Sequence, residues 1–133
     1  MDKEALKPVV GRFLASMQTL PENVTTAFAA DRANKDPAHT AEREAKMAEI
    51  FAAADADGDG RLNEAEHAAF IAGFTTAQRE KYGEWIEMPA DDCAILYAEV
   101  NKNSAGEGIS MEDLKAWRTM FRECAAELAA WKL

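Results

Sequence analysis

An all-α fold is predicted for this 133-residue chain by three observations. Apolar residues recur at three- and four-residue spacing in several separate stretches, which marks one face of a helix in each. Alanine is frequent and β-branched runs are scarce, a composition that favours helix. No segment shows the apolar–polar alternation of a half-buried strand. The length suits one compact domain rather than two, and an apolar content of 48% is enough to build its core.

The elements follow in order. Val9, Val10, Phe13, Leu14 and Met17 form the face of a first helix, broken near Thr19, Leu20 and Pro21. Pro8 is expected within its first turn or at a late start, because proline lacks the amide that a helix interior needs. Val24 and Phe28 continue on a shorter second helix, and the polar stretch 31–40 is expected to be a connector. Asp36 followed by Pro37 is a helix start: the aspartate caps free amides and the proline suits the first helical position. Met47, Ile50, Phe51 and Ala54 then share one face. After a polar run, Phe70, Ile71 and Phe74 share another, with Asn63 placed to cap that helix.

The run between these two helices carries the chemistry. Asp55, Asp57 and Asp59 stand at alternate positions, Gly60 follows the third, and Glu66 closes a segment of twelve residues. Alternating carboxylates supply hard oxygen ligands, and the glycine lets the backbone turn sharply at the sixth position. The pattern is that of a Ca²⁺ loop, in which Arg61 offers its carbonyl, Asn63 holds a bridging water and Glu66 gives both carboxylate oxygens. The Arg61 side chain is then left free to point to solvent.

With an amphipathic helix on each side, residues 47–74 resemble the calmodulin-like EF-hand superfamily. The resemblance implies a second hand about forty residues on, and residues 101–113 provide one in altered form. Tyr97 and Val100 precede it as Phe51 and Ala54 precede the first loop, and Trp117 and Phe121 follow Asp113 as Phe70 and Phe74 follow Glu66. That frame makes the second loop thirteen residues long, one more than the family pattern. Leu62 and Ile109 are expected to join the two loops through a short antiparallel bridge. Asn101 and Asn103 bring no charge, Ala105 brings no side-chain ligand, and Asp113 is one methylene shorter than glutamate. Affinity in such loops follows charge count and rigidity. One Ca²⁺ is therefore expected at Asp55, Asp57, Asp59, Arg61 and Glu66. The second loop is expected to be structural, with at most weak Ca²⁺ or Mg²⁺ binding and Glu107 as a substitute ligand.

The last helix is predicted to run from Met111 to the end, with Leu114, Trp117, Phe121, Cys124, Leu128 and Trp131 along one side. Ser110 and Asp113 resemble a capping box at its start. The resemblance thus implies an EF-hand pair over residues 37–133, with residues 1–36 as a helical extension packed on it. The expected function is a Ca²⁺ sensor that binds an amphipathic helix of a partner protein through an apolar surface. The alternatives are a Ca²⁺ buffer, or a structural or cytoskeletal subunit whose partner is held with or without Ca²⁺.

A net charge of −9 argues against nucleic acid and anionic membrane as partners. No run is long and apolar enough to span a bilayer, no secretory signal is visible, and Asp2 in place of glycine excludes N-myristoylation. Cytoplasm is the expected location, with Cys93 and Cys124 as reduced core thiols. His39 and His67 stand alone. No enzyme is expected, because no nucleophile elbow, zinc-protease motif or phosphate-binding glycine loop is present.

Overall fold

The computed structural model describes residues 2–102 and 106–128. Among them are six helices and no strand beyond one isolated bridge. These are α1 (Lys3–Met17), α2 (Glu22–Ala33), α3 (Pro37–Ala54), α4 (Glu64–Tyr82), α5 (Ala90–Asn101) and α6 (Met111–Leu128). The fold is all-α, and no described helix is long and apolar enough to cross a membrane.

The helices begin and end where their chemistry directs. Asp36 accepts from the Ala38 amide and Pro37 opens α3. Asn63 and Glu66 form a reciprocal capping box at the start of α4. Ser110 and Asp113 repeat that exchange before α6. Gly83, at φ 87°, stops α4 in the left-handed conformation that glycine adopts without strain.

Two expectations are corrected. Pro8 lies inside α1, beyond its first turn, so the carbonyl of Glu4 loses its helical donor. The turn before Pro8 is held from outside the helix: Asp2 caps the Glu4 amide, and Leu6 is fully buried in the main core. The connector expected over residues 31–40 shrinks to residues 34–36. Asp31, in the last turn of α2, accepts from the Tyr82 hydroxyl and pairs with Lys81 of α4. These tertiary contacts hold a helical turn that polarity alone reads as loop.

The main core joins Leu6 of α1 to Phe51, Ala54, Leu62, Phe70, Leu96, Val100, Ile109 and Leu114. α1 therefore completes the same core as the four helices after residue 36, and it packs most extensively along α6. Val10 and Leu14 meet Cys124 and Ala125 there. Outside that seam Lys3 and Lys7 reach Glu123 and Glu127 at 3.2–3.3 Å, exposed pairs of small energetic worth. Leu128 lies beside Gly11 of α1, while residues 129–133, Trp131 among them, fall outside the described residues. Cys93 and Cys124 are free thiols. A second aromatic cluster closes the other end, where Phe28, Tyr82 and Trp85 pack ring against ring over Met17 and Val24.

α3 with α4, and α5 with α6, are two helix–loop–helix units tied loop to loop. The Leu62 amide donates to the Ile109 carbonyl at 2.8 Å, and the Ile109 amide returns the bond at 2.9 Å. Both side chains are fully buried. Gly108 makes this approach possible. A Cβ at Gly108 would lie 3.1 Å from Arg61 Cβ and 3.2 Å from the Leu62 carbonyl oxygen, and its φ of 103° is one that side chains avoid. Replacing Gly108 by alanine is expected to lower urea-denaturation stability by about 1–3 kcal/mol. Truncating Leu62 to alanine is expected to cost about 2–5 kcal/mol.

Candidate metal centre

The first loop brings four carboxylates onto one point. Asp55 ends α3, Asp57 and Asp59 lie in the turn, and Glu66 projects from the first turn of α4. One oxygen from each lies within 4.8 Å of the others. Ligands on opposite sides of a Ca²⁺ ion, each at 2.3–2.6 Å, stand about 4.6–5.2 Å apart.

The loop holds its own shape through amide–carboxylate bonds. The Gly60 amide donates to Asp55 Oδ2 at 2.9 Å, folding the chain back on the first ligand, and Gly60 adopts φ 81° to do so. The Asp59 amide donates to Asp57 Oδ1 at 3.2 Å, and the Arg61 amide to Asp59 Oδ1 at 2.9 Å. Glu66 spans the loop, with Oε1 accepting from the Asn63 amide and Oε2 from the Asp57 amide. Of the oxygens that no amide reaches, Asp55 Oδ1 is buried and has no hydrogen-bond partner among the described residues. A buried acceptor without a donor costs about 1–3 kcal/mol, more when charged, and a cation would satisfy it. An all-oxygen set of four carboxylates around such an atom fits a hard divalent ion.

The electrostatics agree. The Asp59 amide favours the charged form of Asp57, but desolvation and the facing Asp59 and Asp55 carboxylates outweigh it, holding the Asp57 carboxyl above its usual range. Asp59, which accepts from the Arg61 amide, is held below its usual value. Four negative charges in this space repel one another, and a divalent ion would remove that penalty.

Arg61 requires a correction. Its side chain, expected to point to solvent, is half-buried and donates from Nη1 to the Gly108 carbonyl at 3.2 Å. A charged guanidinium so placed satisfies a carbonyl in the second loop and ties the loops together beside the Leu62–Ile109 bridge.

The second loop is built differently. Ile109 follows Asn101 by eight positions, whereas Leu62 follows Asp55 by seven, so the extra residue lies before the bridge. Asn101 Oδ1 accepts from the Gly108 amide at 2.7 Å, Asp113 Oδ2 accepts from the Ser110 amide, and Glu107 is exposed. Asn103 and Ala105, expected among the altered ligand positions, lie outside the described residues. Among the described residues, the cluster at Asp55, Asp57, Asp59 and Glu66 is the one group of three or more His, Cys, Asp or Glu side chains close enough to share a metal.

His67, next to Glu66, is not part of the centre. It is buried against Tyr97, and desolvation pushes its pKa down to about 4, so it is a neutral core residue near pH 7.

A scan against protein-family models finds no matching family, and searches of curated proteins and of solved structures find no match.

Asp55 and Glu66 are the first and last carboxylates of the twelve-residue segment. Changing Glu66 to glutamine is expected to lower Ca²⁺ affinity at least about tenfold, measured by competition with a fluorescent chelator. An unchanged affinity would remove these four carboxylates from the metal site.

Proposed function

We propose that this chain is a Ca²⁺-binding protein of the calmodulin-like EF-hand kind, working as a sensor with one metal site. The observation that carries this reading is the convergence of Asp55, Asp57, Asp59 and Glu66 within 4.8 Å, with a buried Asp55 oxygen that has no donor. The Arg61 carbonyl would be the fifth protein ligand. The second loop acts as a strut, contributing its backbone to the bridge and the Gly108 carbonyl to Arg61.

Bound Ca²⁺ would supply charge neutralisation and a fixed coordination frame. The response belongs to the chain. Glu66 sits in the first turn of α4 and is hydrogen-bonded to the amides of Asn63 and Asp57. Moving its carboxylate toward Asp55 carries the start of α4 with it, while Leu62, immediately before that helix, stays pinned to Ile109. α4 then pivots against α3 about the bridge. Apolar side chains between the two helices, Ile50 and Ile71 among them, change exposure and offer a surface to an amphipathic helix of a partner protein.

Trp85 and Trp117, both close to α4 or the core it borders, report this change. Addition of Ca²⁺ is expected to alter tryptophan fluorescence and to raise binding of a neutral apolar dye, and Glu66→Gln is expected to abolish both responses. Ca²⁺ binding with an unchanged spectrum and unchanged dye uptake would identify a buffer or a fixed scaffold instead.

A further inference from the structure

A cavity of about 560 Å³ opens on the side of the molecule formed by α1, α3, α4 and α6, with α2 and Trp85 at one end. Its floor is apolar, with Phe13, Met17, Ile50, Phe74, Trp117 and Phe121 among its walls. Its volume falls within the roughly 300–1,000 Å³ of small-molecule sites, which combine an apolar wall with a few placed polar groups.

The polar groups at this cavity are basic, against the trend of the chain. Arg32, Arg43, Lys46, Lys81, Arg118 and Arg122 line it, against Asp31, Glu42 and Glu80. Six positive and three negative groups make a positive site in a chain of net charge −9. Lys81 is paired with Asp31, and Lys46 with Glu49. The four arginines have no carboxylate within ion-pair distance among the described residues, although Lys3, Lys7, Arg12, Arg79, Lys102 and Lys115 all do. Arg43 Nε is buried without a hydrogen-bond partner among the described residues, whereas His39 Nε2 at the same wall lies 3.7 Å from Asp31 Oδ1. Arg32 lies over the Phe28 ring at 5.5 Å. Desolvation, then the nearby charges of Arg122, Arg43 and Arg118, lower its pKa, so these guanidinium groups press on one another.

Guanidinium groups with no carboxylate partner among the described residues, set beside an apolar cavity, select a ligand that is negative at one end and apolar along its length. We infer that the cavity is a binding site for a single-chain anionic amphiphile, such as a long-chain carboxylate, with the head group on the cluster of Arg32, Arg43, Arg118 and Arg122 and the tail against Phe13, Ile50, Phe74 and Trp117. Guanidinium groups match a carboxylate in a planar, two-point geometry. The inference rests on the cavity and not on the metal loop, so metal titration and dodecanoate titration test the two readings separately, although Ile50 and Ile71 of the proposed partner surface also line this cavity.

The test is titration of the full chain with dodecanoate below its micellar range, in Ca²⁺ and in chelator, read by Trp85 and Trp117 fluorescence and by calorimetry. Saturable binding of one dodecanoate per chain in either condition is the expected result. Affinity should rise about fourfold per methylene from octanoate to dodecanoate, because each buried CH₂ contributes separately. Dodecanol and dodecylamine should bind at least tenfold more weakly. The double variant Arg43→Gln, Arg122→Gln should lose about tenfold for dodecanoate while its dodecanol affinity and thermal melt stay unchanged. Absence of saturation, no dependence on chain length, or equal binding of dodecylamine would overturn the inference. So would saturable binding of an acidic Leu/Glu helical peptide where dodecanoate fails, which would make the cavity a protein-docking groove.

Discussion

The two hydrogen bonds between Leu62 and Ile109 are the constraint on which the rest of the molecule depends. They are the only backbone bridge among the described residues, and they lie between the segment that carries the carboxylates and the segment that does not. Two helical hairpins, each with one apolar face, cannot bury those faces alone. Pinning their loops together fixes how the faces meet. Leu62 and Ile109 sit in the same cluster as Phe51, Phe70, Leu96, Val100 and Leu114, so the bridge and the core are one unit. Gly108 permits the close approach, and Arg61 reinforces it from the first loop to the second.

This arrangement explains how a loop with three aspartates and a glutamate is held in shape despite its own repulsion. The Asx-type bonds to Gly60, Asp59 and Arg61 use amides that would otherwise face solvent. The Asn63–Glu66 capping box places a fourth carboxylate over them at no cost to the helix, since it also satisfies an orphan amide of α4. The Ser110–Asp113 box copies this terminus in the second loop, where Asn101 spends its side-chain oxygen on the Gly108 amide. The form repeats without the charge: the first loop gathers four carboxylates that could hold a metal ion, and no such group forms among the described residues of the second.

Much of this was readable from residue order because the signals are local. Asp36–Pro37 and the Asn63 cap depend on spacing along one short segment, and both caps form; the Leu62–Ile109 bridge also forms, but it joins residues 47 positions apart and was expected from the resemblance. What was misread depends on distant partners. Pro8 sits inside α1 because Leu6 is buried in a core assembled from four later helices. Asp31 stays helical because Tyr82 and Lys81, fifty residues on, hold it. Arg61 turns inward because the Gly108 carbonyl of the other loop is within its reach. The arginines around the cavity come from α2, α3 and α6, and no single stretch of sequence shows them as a group.

The most direct test of the central claim is calorimetric titration of the intact chain with Ca²⁺ in the presence of millimolar Mg²⁺. One Ca²⁺ per chain, with an affinity in the sensor range of about 10⁻⁷–10⁻⁵ M, is the predicted result. No heat of binding would contradict the claim that the four carboxylates form a metal site, and two sites of equal affinity would contradict the assignment of the second loop as a strut.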